Sequence, residues 1–117
     1  MPATSPKMPR RIAVGPHVFR VFCDAKSWAR MAAYRTIPTW GLTVRETCEI
    51  FICPDLSEST RRETLFHELF HACEVPAGFL ADGRSDRHEY LTGVSPYLFD
   101  ALRRNPQLHA YLMSNAD

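Results

Sequence analysis

With 117 residues, 45% of them apolar and 23% charged, the chain has room for a single hydrophobic core and the balance of an ordinary folded domain, which excludes a wholly disordered protein. Fourteen basic residues against thirteen acidic ones leave a formal charge of +1, so no whole-chain field draws nucleic acid or an anionic membrane. No stretch approaches the ~20 apolar residues of a bilayer span, and the expectation is a cytoplasmic protein with neither nucleic acid nor membrane as partner.

The opening MPATSPKMPRR has three prolines and lacks the apolar run of ~7–15 residues that a secretory signal needs. Residues 1–14 therefore read as a mobile tail, and 15–117 as one domain. Past Gly15-Pro16, HVFRVFCD (17–24) alternates in a β-rich pattern and predicts a strand. Ala25 to Arg35 carries only the thin stripe Trp28, Met31 and Tyr34, which fits a short helix or structured loop closed by Ile37-Pro38. Thr39–Arg45 and Thr47–Cys53 are rich in Thr, Val, Ile and Phe and predict a hairpin, with Ile50 and Ile52 on one face and Phe51 on the other. Pro54-Asp55 ends it.

A helix over about 59–74 follows, with Thr60 and Glu63 spaced as a capping box and Val75-Pro76-Ala77-Gly78 as its break. After the Asp82-Gly83 turn the pattern predicts a helix near Ser85 to Val94. Pro96 starts or kinks a third to about Arg104, and Leu108, Tyr111 and Leu112 keep the spacing of a short terminal helix. Cys23, Cys48, Cys53 and Cys73 show no CxxC or zinc-finger spacing and read as buried thiols. The fold class expected is α+β: a small antiparallel sheet packed on the long helix and on a second, C-terminal helix.

The long helix holds HELFH. His67 and His71 lie about 40° apart around its axis and about 6 Å along it, so both imidazoles can reach one cation. Glu68 falls about 100° from His67 and about 60° from His71, beside the metal without having to be a ligand. Zinc lowers the pKa of its bound water towards ~7, and a neighbouring carboxylate can accept the proton as that water attacks a carbonyl and return it to the leaving amine. The expectation is a zinc-dependent hydrolase, a metallo-endopeptidase acting on a peptide or protein, with Glu68 as its base. Leu65, Phe66, Leu69, Phe70, Ala72 and Cys73 fill the other directions of the helix and predict a buried element whose histidines need partners.

A hydrolytic zinc takes three protein ligands, so a third must come from elsewhere. Glu74, Asp82, Asp86, His88 and Glu89 are the downstream candidates. Glu74 sits a turn further along, where it orients a histidine or faces solvent. Glu89 is favoured, because Thr92 and Gly93 share its helix face and allow close approach; His88 is next, as ligand or as donor to the developing oxyanion, a role also open to Tyr90 and Tyr97. Two histidines and a carboxylate suit zinc best but also admit iron or manganese.

Strands, an HELFH helix and a glutamate about eighteen residues past the second histidine resemble the ImmA/IrrE-type small zinc metallopeptidases of bacteria and their phages, over roughly His17 to the end. The closing LFDALRRNPQL is similar to the tail of small phage and prophage proteins of that group. The resemblance implies a minimal gluzincin-like domain, with His67, His71 and Glu89 as zinc ligands and Glu68 as base, and a repressor-like regulator as substrate. It departs at Thr92-Gly93, where family members often have Ala-Asn, and no attached recognition domain is read here. Two other readings stay open: a metal-stabilised, non-catalytic binding or regulatory module of a phage or prophage, and a metal-free accessory protein.

Overall fold

The computed structural model describes residues 6–31, 38–79 and 87–115. It is α+β, a four-stranded sheet with four helices, in the order β1 (Arg11–Val14), β2 (His17–Phe22), α1 (Ala25–Arg30), β3 (Gly41–Val44), β4 (Glu49–Ile52), α2 (Glu58–Ala77), α3 (Arg87–Arg104) and α4 (Pro106–Leu112). Among the described residues no helix is long and apolar enough to cross a membrane.

The strand order is β1-β2-β4-β3, which makes the sheet mixed rather than antiparallel. β1 with β2 and β3 with β4 are antiparallel hairpins, but β2 and β4 run parallel, Val21 opposite Ile50. The parallel pair arises because the chain leaves β2, passes through α1 and the edge strand β3, and returns along β2 in the same direction. Local alternation marks a strand's faces but not its neighbour, so the sequence pattern had no means of choosing this pairing.

β1 also corrects the expected tail. Ile12 and Val14 are fully buried, and Pro9 before them is buried too, so the ordered fold begins ahead of residue 15. Asn105 stands beside this edge as a strand would: its side chain accepts from Ala13 N and donates to Ala13 O, each at 2.9 Å.

One sheet face buries Ile12, Val14, Phe19, Val21, Ile50 and Ile52 against Leu65, Leu69, Ala72 and Cys73 of α2, and α3 and α4 add Val94, Ala101, Leu108 and Tyr111. Each large aliphatic side chain so buried contributes about 1.5–3 kcal/mol. On the other face Phe22 stacks on Phe51 at 5.1 Å, beside α1. Cys73 is buried, whereas Cys23, Cys48 and Cys53 are only half-buried; all four are free.

The boundaries of α2 differ from expectation at both ends. Its cap is Ser57, whose side chain accepts from Thr60 N, so Thr60 lies inside the first turn and Glu63 has no capping role. At the other end Pro76 withdraws a single donor, and the helix continues to Ala77 until Gly78, at φ 83°, turns left-handed and Phe79 N closes on Glu74 O. Pro96 likewise sits inside α3 rather than starting a third helix, because Val94 and Ala101 anchor the helix on both sides of it. The segment around Asp82, Gly83, Ser85 and Asp86 lies outside the described residues, as do Tyr34, Arg35 and Ile37.

Candidate metal and catalytic site

The edge strand β3 and the helix α2 run side by side, and the odd-numbered residues at β3 meet the motif in order. Gly41 lies against Thr64 and Glu68, Thr43 bonds Glu68, and Arg45, just past the strand, reaches His71 and Glu74. The period of two in the strand thus lays a small or polar row along the polar stripe of the helix.

Glu68 is buried, and its position is fixed from the sheet. Thr43 Oγ1 is 2.7 Å from Glu68 Oε1 and 3.2 Å from the Glu68 carbonyl. A hydroxyl donates once, and the shorter contact to the charged oxygen takes the proton. Glu68 Oε2 then faces His67, whose Nε2 is 3.9 Å away.

The two imidazoles stand on one face with ring centroids 5.1 Å apart and planes at 71°. Their surroundings differ from the buried helix expected. The His67 side chain is 69% exposed and that of His71 38% exposed, while exposed Phe66 meets half-buried Phe70 edge to face. A requirement for buried partners therefore applies to His71 alone. Its Nδ1 is 3.0 Å from Glu74 Oε1 and 3.2 Å from Arg45 Nη2; in the tautomer that donates Nδ1–H to the carboxylate, Nε2 is the nitrogen left for a metal.

Glu74 is buried and accepts three donors: His71 Nδ1, Arg45 at 2.5 Å on the same oxygen, and the Tyr90 hydroxyl at 2.5 Å on the other. Burial alone would raise its carboxyl, but the hydrogen bonds from Tyr90, His71 and Arg45 outweigh it and hold the group below its usual range. Burial and the Glu74 carboxylate push the Tyr90 hydroxyl up, so it stays a donor. Of the two roles open to Glu74, orienting a histidine is the one its contacts fill.

The structure brings His67, Glu68 and His71 together and adds Glu74 behind His71. It does not bring His88 or Glu89 into that group: both are exposed in the first turn of α3, and among the described residues no three of His, Cys, Asp and Glu are gathered to hold a metal. The close helix approach expected at Thr92-Gly93 occurs at Gly93, where a Cβ would stand 2.7 Å from Phe79. Around the axis Gly93 lies about 40° from Glu89 and about 60° from Tyr90, so its face is open to both, and it is the Tyr90 hydroxyl that meets Glu74 of α2. Tyr90 is committed to Glu74, and Tyr97 packs near Gly15, away from the motif. Asp82 and Asp86 lie outside the described residues.

Beside Glu68 opens a cleft of about 220 Å³, lined among others by Thr39, Trp40, Gly41, Glu63 and His67. Thr43, Arg45 and Trp40 were not singled out from sequence. The signal that could have found them is the alternation Thr39, Gly41, Thr43, Arg45 in a strand read otherwise for its apolar residues.

A scan of family models, a search of curated proteins and a search of solved structures each return no match.

Proposed function

We propose that the protein is a zinc-dependent metallo-endopeptidase acting on a peptide or protein substrate. The observation that carries this reading is the His71–Glu74 contact. A ligating histidine characteristically donates its second nitrogen to a carboxylate, which sets the tautomer and ring orientation, and the buried Glu74 carboxylate, 3.0 Å from His71 Nδ1, is placed to accept such a proton.

Two imidazoles one turn apart fit the histidine part of a zinc site; the third donor proposed is Glu89, which is exposed in the first turn of α3 and is not gathered with them among the described residues. Zinc held there would supply Lewis acidity at the scissile carbonyl. Glu68, fixed by Thr43 through one oxygen, keeps the other beside the cleft to take a proton from water and pass it to the leaving amine. β3 is an edge strand of the sheet and runs past Glu68, so an extended peptide can align along it. The resemblance of HELFH and its flanks to the ImmA/IrrE-type peptidases supports the same reading and suggests a repressor-like regulator as substrate.

The test is cleavage of a mixed peptide library by the zinc-supplemented protein, followed by mass spectrometry. Glu68→Gln should lower the rate by about 10²–10⁴ with zinc retained. A Gln variant that cleaves as well as the parent would remove Glu68 from the role of base, and no cleavage by the parent would favour the non-catalytic module.

A further inference from the structure

We infer that the cleft beside Glu68 is a specificity pocket for a cationic side chain of the substrate, lysine or arginine, selected by Glu63 and Trp40; this rests on the peptidase reading and names its substrate class. At about 220 Å³ the cleft is smaller than the ~300–1,000 Å³ of sites for drug-sized molecules, and it suits one long side chain. Glu68 and His67 form one wall, which puts an occupant directly beside the reacting atoms.

The lining sets the charge of that occupant. Glu63 is exposed on α2 and, among the described residues, has no ion pair or hydrogen bond, its capping role having passed to Ser57. Among the described residues no lysine or arginine lines the cleft, and the carboxylates of Glu63 and Glu68 are its acidic groups. Trp40 is 59% exposed and offers an indole that apolar packing leaves uncovered. A carboxylate and an aromatic face in one small cleft are the two groups that attract a desolvating ammonium or guanidinium. Gly41 keeps the cleft open to Glu68: a Cβ there would stand 2.8 Å from Thr64 Cγ2 and 3.0 Å from Glu68 Oε2.

The experiment is a titration of the ¹⁵N-labelled full chain, zinc-free and zinc-supplemented, with N-acetyl-lysine amide and with its uncharged counterpart N-acetyl-norleucine amide, read at the Gly41 amide. The lysine probe should bind about tenfold more tightly, with the preference reduced to near unity in Glu63→Gln and weakened in Trp40→Leu. Equal binding of both probes, or a lysine preference that survives Glu63→Gln, overturns the inference. The readout needs no cleavage: a lysine preference in a protein that cleaves nothing upholds the pocket and removes the peptidase reading, whereas cleavage without the preference removes the pocket alone. Cleaved library peptides should also carry Lys or Arg at one fixed position from the scissile bond, and Glu63→Lys should replace that enrichment with Asp or Glu.

Discussion

Thr43 Oγ1 lies 2.7 Å from Glu68 Oε1, a contact between the sheet's edge strand and the HELFH helix that joins residues 25 positions apart. It ties the orientation of the proposed base to the sheet rather than to its own helix. Thr43→Val removes the donor while keeping the shape. Peptide cleavage should fall about ten- to a hundredfold in kcat with zinc content unchanged, and Thr43→Ser should restore it. Unfolding in urea should show a loss of about 1–3 kcal/mol, the usual cost of a buried carboxylate losing a partner.

Glu74 holds His71 by Nδ1, so its removal should loosen the metal without touching either motif histidine. In Glu74→Ala, zinc affinity measured against a chromophoric chelator should drop about 10–100-fold. The same carboxylate carries a pH dependence. Its folded pKa lies below the ordinary 4.5, so its contribution to stability is complete above that pH and fades as pH falls through the lower folded value. The parent should lose stability on acidification below about pH 4.5 more steeply than the alanine variant does.

Cys73 packs in the core under α2, and burial, with Glu74 adding to it, pushes its thiol up to about 12. The thiol is therefore protonated at pH 8 and shielded as well. Iodoacetamide at that pH should label the half-buried Cys48 and Cys53 first and leave Cys73 unmodified in the folded protein, as read by peptide mass spectrometry. Labelling of Cys73 at the rate of Cys48 would contradict the packing described.

Elements with a strong period were legible in the sequence, and those set by distant partners were not. The HELFH helix, the β3–β4 hairpin with Ile50 and Ile52 facing inward, and the terminal helix on Leu108 and Tyr111 all follow from local spacing. β1 escaped because only Ile12 and Val14 alternate, beside an arginine pair and prolines, and its pairing partner lies across a turn. The end of α2 escaped because proline marks a break in local pattern, whereas Pro76 sits in the last turn of α2 and the helix ends two residues later at the left-handed Gly78. Within the site the spacing of His67, Glu68 and His71 was enough to place them together. Thr43 and Arg45 were invisible, because strand-to-helix register depends on how β3 lies along α2, which no local pattern encodes.

The most direct test of the account is the metal content of the purified, untagged protein by elemental analysis, beside His71→Ala prepared identically. The account predicts about one zinc per chain in the parent, the stoichiometry of a single mononuclear site, and its loss in the variant. No zinc above the level of His71→Ala after supplementation would contradict it, and HELFH would then be a polar stripe held by Thr43 and Glu74.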